Sequence, residues 1–482
     1  MIINRREQWI LHSNLWIMKR SVSMKHKRML ALILAAGILF TCFPAKNAQA
    51  ARFKDISGHW AYDYIIEATD RGFFSGTSST TFSPDMMMTR AMFVTVLASY
   101  SGENISAYNT TKFKDVPKNA WYAHAVAWAY RMGITAGISE TKFGPNQQIS
   151  REQIAVLMIQ FANYQQFVLP RVREGKLFAD SGACSGYALD SVYALYRAGI
   201  INGVNGSDYH PQGKATRAEA AVILCKYADA TAKKPASSER ILLISHRGYS
   251  TGAPENTMPA FTLSVQRDYQ MIETDVRFTR DDVPVLIHDT TIDRTSNGSG
   301  KVSEMTYEQL KAYDFSYVDG KDFSAYRGTC IPTFEEFAAF CAKNDVHPFI
   351  ELKQEMTEAQ IHKLTDIATK YGIQYHSTWI SFQYDNLKYV KSSHPQSALC
   401  LLTDRVTSSA LTYAAQLKNT VNTVSVGANE AYLEPEDRAK CLRKHIPLCV
   451  WTVDDVPWAV TQTNTCAQYI TTNGLTWGNL YR

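Results

Sequence analysis

Apolar and polar positions follow two different rhythms along this chain. From residue 241 onward, short apolar runs recur at 241–245, 271–276, 348–352, 378–381, 399–402, 423–426, 448–452 and 469–471, with helically spaced stretches between them. Continuous apolar runs of this length, alternating with amphipathic helices, mark parallel strands buried on both faces. Eight such repeats over about 240 residues predict an α/β fold, a (β/α)8 TIM barrel. A further run at 283–288 follows the second too closely for a helix to intervene. The turn character of Arg280-Asp281-Asp282 makes it the return strand of a hairpin. Residues 289–345 are long for a connection; they carry a capping-box helix start at Thr306 to Gln309 and a helix near 334–343, and they read as an insertion roofing the barrel.

Residues 51–230 have a helical rhythm and repeat three times. Phe53-Lys54-Asp55, Phe113-Lys114-Asp115 and Phe178-Ala179-Asp180 open the units, and Trp60, Trp121 and Tyr187 follow. A first helix stops at Gly72, Gly133 and Gly199, where a glycine after a periodic run ends a helix. An aromatic-x-Pro corner comes next, at Phe82, Phe143 and Tyr209. A second helix then starts at Thr89-Arg90, Ser150-Arg151 and Thr216-Arg217, with Ser or Thr as N-cap and the arginine expected on an exposed first turn. Each unit is small for independent folding, so three copies are expected to pack around a shared axis as an all-α domain. The boundaries read 51–110, 111–175 and 176–229, then a polar linker at 230–240 without periodicity, then 241–482.

Composition changes this picture at the N-terminus. Lys25, Lys27 and Arg28 precede an uncharged run, and Ala48-Gln49-Ala50 is a small-x-small cleavage site, the layout of a secretory signal cut near Ala50. The run is too short to span a membrane stably, so no transmembrane segment is expected in the mature chain. Met24 is read as the start, with 1–23 an upstream extension. Residues 1–50 hold eight of the lysines and arginines and one glutamate, so the net charge of +5 becomes −2 without them. That argues against nucleic-acid binding. No two cysteines stand in Cys-x-x-Cys spacing, and most read as small core residues.

The candidate chemistry gathers between residues 241 and 289. Two apolar runs end in histidine, His246 and His288, and a third carries Glu273 and Asp275. Residues two apart on a strand face one side, so the two carboxylates point at one spot. Crowded carboxylates repel unless a cation or proton lies between them, and a hard divalent ion suits oxygen ligands. Counting outward from the hairpin turn sets Glu273 opposite His288. Glu351 and Lys353 share a face at the end of a later strand, adding a third carboxylate and a cation. Arg247 offers an anion clamp, and Trp451 an apolar wall. A lone histidine at a strand end is ordinarily solvated; four such features converging on one end of a sheet point to function. His347, His362 and His445 lack such company and read as surface residues.

These residues carry a resemblance. His246-Arg247-Gly248, Pro254-Glu255-Asn256-Thr257, Glu273-Thr274-Asp275, His288-Asp289, the glycine-rich 293–300, Glu351-Leu352-Lys353, Ser381-Phe382 and Val450-Trp451-Thr452-Val453 resemble the glycerophosphodiester phosphodiesterase family over about 241–482. Asp282 and Asn473 depart from the family's usual Gly and Asp. The resemblance implies hydrolysis of a glycerophosphodiester to glycerol 3-phosphate and an alcohol. His246 and His288 would be acid and base, in an order left open. Glu273, Asp275 and Glu351 would hold one Ca2+ or Mg2+, and Arg247, Glu255, Asn256, Lys353 and Trp451 would contact substrate. The repeats resemble S-layer homology domains, which implies a secreted protein held at a bacterial cell wall or S-layer through a secondary cell-wall polysaccharide. Arg90, Arg151 and Arg217 match that family's polymer-contacting position; only Thr216-Arg217-Ala218-Glu219 keeps its motif whole. Two rivals stay open: a lipid-directed phospholipase on a similar barrel, and a structural or wall-polymer-binding protein with an inactive barrel.

Overall fold

A computed structural model describes residues 53–318 and 320–481. The expected signal segment and Cys42 lie outside the described residues.

Each repeat contributes two helices: α1 (Tyr62–Asp70) and α2 (Arg90–Ser101), α3 (Ala123–Arg131) and α4 (Arg151–Tyr164), α5 (Gly186–Arg197) and α6 (Arg217–Thr231). The second helix of each starts where the sequence places it. Thr89, Ser150 and Thr216 accept from the N–H three residues on, and Met92, Gln153 and Glu219 reach back to the cap's own N–H.

The arginines after these caps are not on an exposed turn. Arg90 and Arg217 are 4% and 6% exposed, and Arg151 is half-buried. Their Nε atoms donate to the carbonyls of Phe143, Tyr209 and Phe82 at 2.9, 2.8 and 2.8 Å. Each guanidinium also lies over the ring of that same residue, 4.9, 4.8 and 4.5 Å from its centroid. The backbone follows suit: the N–H groups of Arg90, Arg151 and Arg217 donate to Gln147, Gly213 and Met86. Repeat one therefore grips the corner of repeat two, two grips three, and three grips one. Asp55, Asp115 and Asp180 brace each corner from its own repeat by accepting two successive N–H groups. The expectation of solvated arginines fails because the next repeat's corner supplies both a carbonyl and an aromatic face. Those contacts offset the mildly unfavourable position of a cation at a helix N-terminus.

The barrel strands are β1 (Leu242–Ser245), β2 (Met271–Phe278), β3 (Pro284–Leu286), β4 (His347–Leu352), β5 (Thr378–Ser381), β6 (Ala398–Thr403), β7 (Val424–Asn429), β8 (Leu448–Trp451) and β9 (Tyr469–Thr472). The sheet order is β1-β9-β8-β7-β6-β5-β4-β2, and pairing of β1 with β2 closes it. All eight run parallel, while β3 lies antiparallel on β2 outside the ring. Ile244, Phe349, Ile380, Cys400, Leu402 and Cys449 fill the barrel interior. A second apolar layer, including Phe261, Phe334, Phe337 and Trp379, packs between strands and outer helices. Of the eight cysteines described, seven are buried and Cys330 is exposed.

Three local readings need correction. The hairpin pairs Val276 with Leu286 and Phe278 with Pro284, a register that sets Glu273 against residue 289 rather than His288. The reason is a three-residue turn, with Thr279 N–H donating to Val283 and Asp282 at φ +59°. His347 is not a surface residue: its Nε2 meets Thr378 Oγ1 at 2.8 Å, and burial pushes its pKa down to about 4. The 230–240 stretch is only partly irregular, since α6 runs to Thr231 and a 3-10 turn spans Ser237–Glu239.

If Arg217 closes the ring, Arg217→Lys should lose the Nε bond to the Phe82 carbonyl and the stacking on its ring, and cost about 2–3 kcal/mol. Calorimetry should show a melting temperature several degrees lower; an unchanged melting curve contradicts the ring-closing role.

Candidate active site

The mouth lies at the C-terminal ends of the strands. β1 ends at Ser245, and His246 follows, its N–H donating to Thr472 on neighbouring β9. The chain then reverses. Arg247 and Gly248 have φ of +57° and +79°, and a Cβ at 248 would lie 2.7 Å from that of Ala260. Glycine is required there by both backbone and space. The reversal aims the Arg247 N–H at Glu273 Oε2, 2.9 Å away.

Glu273 and Asp275 on β2 and Glu351 on β4 form the centre. Asp275 pairs in register with Glu351, and the three can each offer one oxygen within 4.8 Å of the others. They are 2%, 0% and 8% exposed. Glu273 Oε1 and Asp275 Oδ1 are buried without hydrogen-bond partners. Burial, reinforced by Asp275 and Glu351, drives the Glu273 pKa well above the carboxylate range. Burial and Asp275 together push Glu351 up to about 7. Burial would raise Asp275 too, but Arg247, Lys353 and His288 outweigh it and hold Asp275 low. Asp275 thus stays ionised while its neighbours resist ionisation, a balance that a divalent cation between them would complete. The partnerless oxygens and the all-oxygen donor set fit Ca2+ or Mg2+.

Cations line the rim. Lys353 Nζ donates to Glu351 at 2.7 Å and lies 3.7 Å from Asp275. Arg247 Nη1 donates to Glu255 at 2.8 Å, and its Nε lies 3.3 Å from Asp275. Glu255 in turn accepts two bonds from Arg294, whose Nε reaches Asp289 at 2.7 Å.

Each histidine is oriented through Nδ1. His288 Nδ1 meets Asp289 Oδ1 at 2.7 Å, and His246 Nδ1 meets Asn473 Oδ1 at 2.7 Å. The Asn473 amide cannot be turned round, because its Nδ2 faces the Asp454 carboxylate, which only accepts, and its Oδ1 accepts from Ser250 Oγ. Its Oδ1 therefore only accepts, so His246 carries its proton on Nδ1 and presents a bare Nε2 to the mouth, 4.0 Å from Glu273. Burial lowers the pKa of both histidines, that of His246 to about 4.

A cavity of about 220 Å³ opens here. His246, Arg247, Glu273, His288, Glu351, Lys353 and Trp451 line it, as the sequence places them. Phe382 meets Trp451 edge-on at 5.7 Å and completes the apolar wall. Glu255 and Asn256 stand elsewhere. Glu255 is a strut between two arginines, and Asn256, 2% exposed, donates to Asp275 from behind and accepts from Thr274. Sequence reading missed Arg294 and Asp454 as members of the site. Arg294 had a signal in the glycine-rich segment; Asp454 had none, since only the fold carries it to Asn473.

Residues 246–473 match the glycerophosphoryl diester phosphodiesterase family, and 52–92, 112–155 and 177–221 each match the S-layer homology domain. A glycerophosphodiester phosphodiesterase of Caldanaerobacter subterraneus is 30% identical over 217 residues, covering 45% of this chain and 86% of that protein. An endoglucanase of a Bacillus species is 27% identical over 253 residues, 48% of this chain and 27% of that enzyme. The chain spans half or less of the length of several curated relatives it matches. A solved glycerophosphodiester phosphodiesterase from Agrobacterium tumefaciens is similar with a TM-score of 0.41 and 21% identity, over 50% of this chain and 98% of that one. The matched span runs from His246 to Asn473 and so contains the whole mouth; the chain belongs to the glycerophosphoryl diester phosphodiesterase family.

Proposed function

We propose that this protein is a secreted, wall-anchored phosphodiesterase that hydrolyses glycerophosphodiesters to glycerol 3-phosphate and an alcohol with one divalent cation. The observation that carries the reading is the buried Glu273, Asp275 and Glu351 cluster between two oriented imidazoles, in a cavity with one charged and one apolar side. Glu273, Asp275 and Glu351 would hold the cation, which would neutralise the phosphate and polarise phosphorus.

The chain's own groups supply the proton traffic. Lys353 and Arg247 face the phosphate oxygens. Phe382 and Trp451 hold the glycerol or alcohol carbons and keep water from that side. His246 offers a bare Nε2 backed by a neutral amide, which suits a general base. It takes the proton of the attacking hydroxyl, either water or the glycerol's own neighbouring hydroxyl, the latter giving a cyclic phosphate that water then opens. His288 is backed by the Asp289 carboxylate, which opposes the lowering of its pKa by burial, and it donates to the leaving alkoxide.

The repeats would anchor the enzyme to a secondary cell-wall polysaccharide at the S-layer. Trp60 and Trp121 are each 65% exposed and Tyr187 49%, one aromatic face per repeat. Exposed aromatic rings in a repeating array suit sugar rings. Arg90, Arg151 and Arg217 serve that surface by fixing the corners between repeats, with any polymer contact made by the guanidinium edges left over.

Three outcomes follow. Glycerol 3-phosphate release from glycerophosphocholine should stop in excess chelator and return with Ca2+ or Mg2+. His246→Ala and His288→Ala should each cost roughly a hundredfold or more in kcat; full turnover under chelation, or a mild loss in either variant, contradicts the mechanism. Linkage gives the second outcome. Because Glu351 and Glu273 titrate above their unfolded values, the folded chain holds extra protons between about pH 4.5 and 7, and its stability falls as pH rises through that window. Cation binding removes that penalty, so added Ca2+ or Mg2+ should raise the melting temperature more at about pH 8 than at about pH 5. A shift equal at both pH values, or retained in Glu273→Gln, counts against the site. Third, replacing Trp60 and Trp121 together by Ala should release the protein from sedimenting cell walls with its melting curve unchanged; undiminished sedimentation places the polymer elsewhere.

A further inference from the structure

The polar composition of 230–240 predicts a tether between two independent halves. The contacts across it show otherwise. Residues 463–468 join the helix Val456–Thr463 to β9, and side chains and backbone of the second and third repeats enclose them. Arg197 Nη2, at the end of α5, donates to the Thr465 carbonyl at 2.6 Å, and Arg171 Nη2 donates to that of Ala467 at 2.7 Å. Asp190, in the middle of α5, accepts the Cys466 N–H at 2.6 Å through one oxygen. Through the other it pairs with Arg438 Nε, also at 2.6 Å, on the helix Pro435–Arg443. Asn464 faces the other way: its Oδ1 accepts from Leu169 N–H at 2.8 Å, and its Nδ2 donates to Asn163 and Phe167. Asp190 and Arg197 are 5% and 7% exposed. Val168 belongs to the barrel's own apolar core, and Tyr193 packs against it.

Buried charges are tolerated when they are paired and every lone pair is met, and such pairs then specify one geometry. The seam pairs Asp190 with Arg438 and gives the guanidinium N–H groups of Arg197 and Arg171 to backbone carbonyls of the barrel. It also has a definite place on the barrel. Residues 463–468 precede β9, whereas Asn473, which orients His246, follows it. The repeats thus hold the end of the strands opposite the mouth.

We propose that the second and third repeats and the barrel form one rigid body, in which the repeat ring is a fixed mount on the barrel's closed end and the mouth opens away from it. The docking stands on the seam alone; the orientation relative to the wall rests on the anchoring function proposed above.

The test needs neither walls nor substrate. A protease site placed between Lys233 and Lys234, both exposed, is cut in the folded full-length protein. The two pieces should co-migrate in gel filtration at micromolar concentration. Cutting the Asp190→Ala, Arg197→Ala double variant should let them separate, with association weakened roughly a hundredfold or more. Separation of the unsubstituted pieces overturns the proposal, and co-migration of the doubly substituted pieces overturns the assignment to these charges. If the double variant does not fold, hydrogen exchange in the unsubstituted chain decides. Protection of the Cys466 and Leu169 amides to the level of β9 supports the mount, and exchange as fast as the linker's overturns it.

Discussion

Three buried carboxylates that can bring one oxygen each within 4.8 Å of the others cannot all be ionised without a counter-charge, and the barrel mouth is built around that constraint. Strand pairing puts Asp275 beside Glu351, and the alternation of β2 adds Glu273. The reversal after β1 turns the Arg247 backbone towards Glu273 and its guanidinium towards Asp275. Lys353 sits two residues past Glu351 on the same face. Asn256 fixes Asp275 from behind. The result is a set of carboxylate oxygens fixed in place by strand pairing and by neighbouring cations and amides.

A second layer of charges orients the imidazoles without touching the centre. Arg294 links Glu255 to Asp289, and Asp289 holds His288. Asp454 fixes the Asn473 amide, and that amide holds His246. One ring is backed by a carboxylate and the other by a neutral oxygen. That difference in backing sets the two histidines apart in an otherwise paired arrangement.

Much of this was legible in the chain. The eight strands follow from apolar runs because parallel strands buried on both faces leave little room for polar residues. Glu273, Asp275, His246, His288, Glu351 and Lys353 follow from strand ends and a period of two. The failures share a cause, namely partners distant in sequence. Arg90, Arg151 and Arg217 look solvated at a helix start, because the carbonyl and ring that bury them belong to the next repeat. His347 looks like a surface residue until Thr378 closes over it. Asp454 has no motif, and only the closing of β8 against β9 brings it to Asn473. Asp282 takes a left-handed φ of +59°, the backbone region that favours glycine.

The central claim is that Glu273, Asp275 and Glu351 are a cation site. A crystal grown with Mn2+ and measured at the manganese edge tests it most directly. The account predicts a single strong anomalous peak bounded by those three carboxylates, absent in crystals of Glu273→Gln. Crystals that diffract well with no peak there, or with one that survives that substitution, would contradict it.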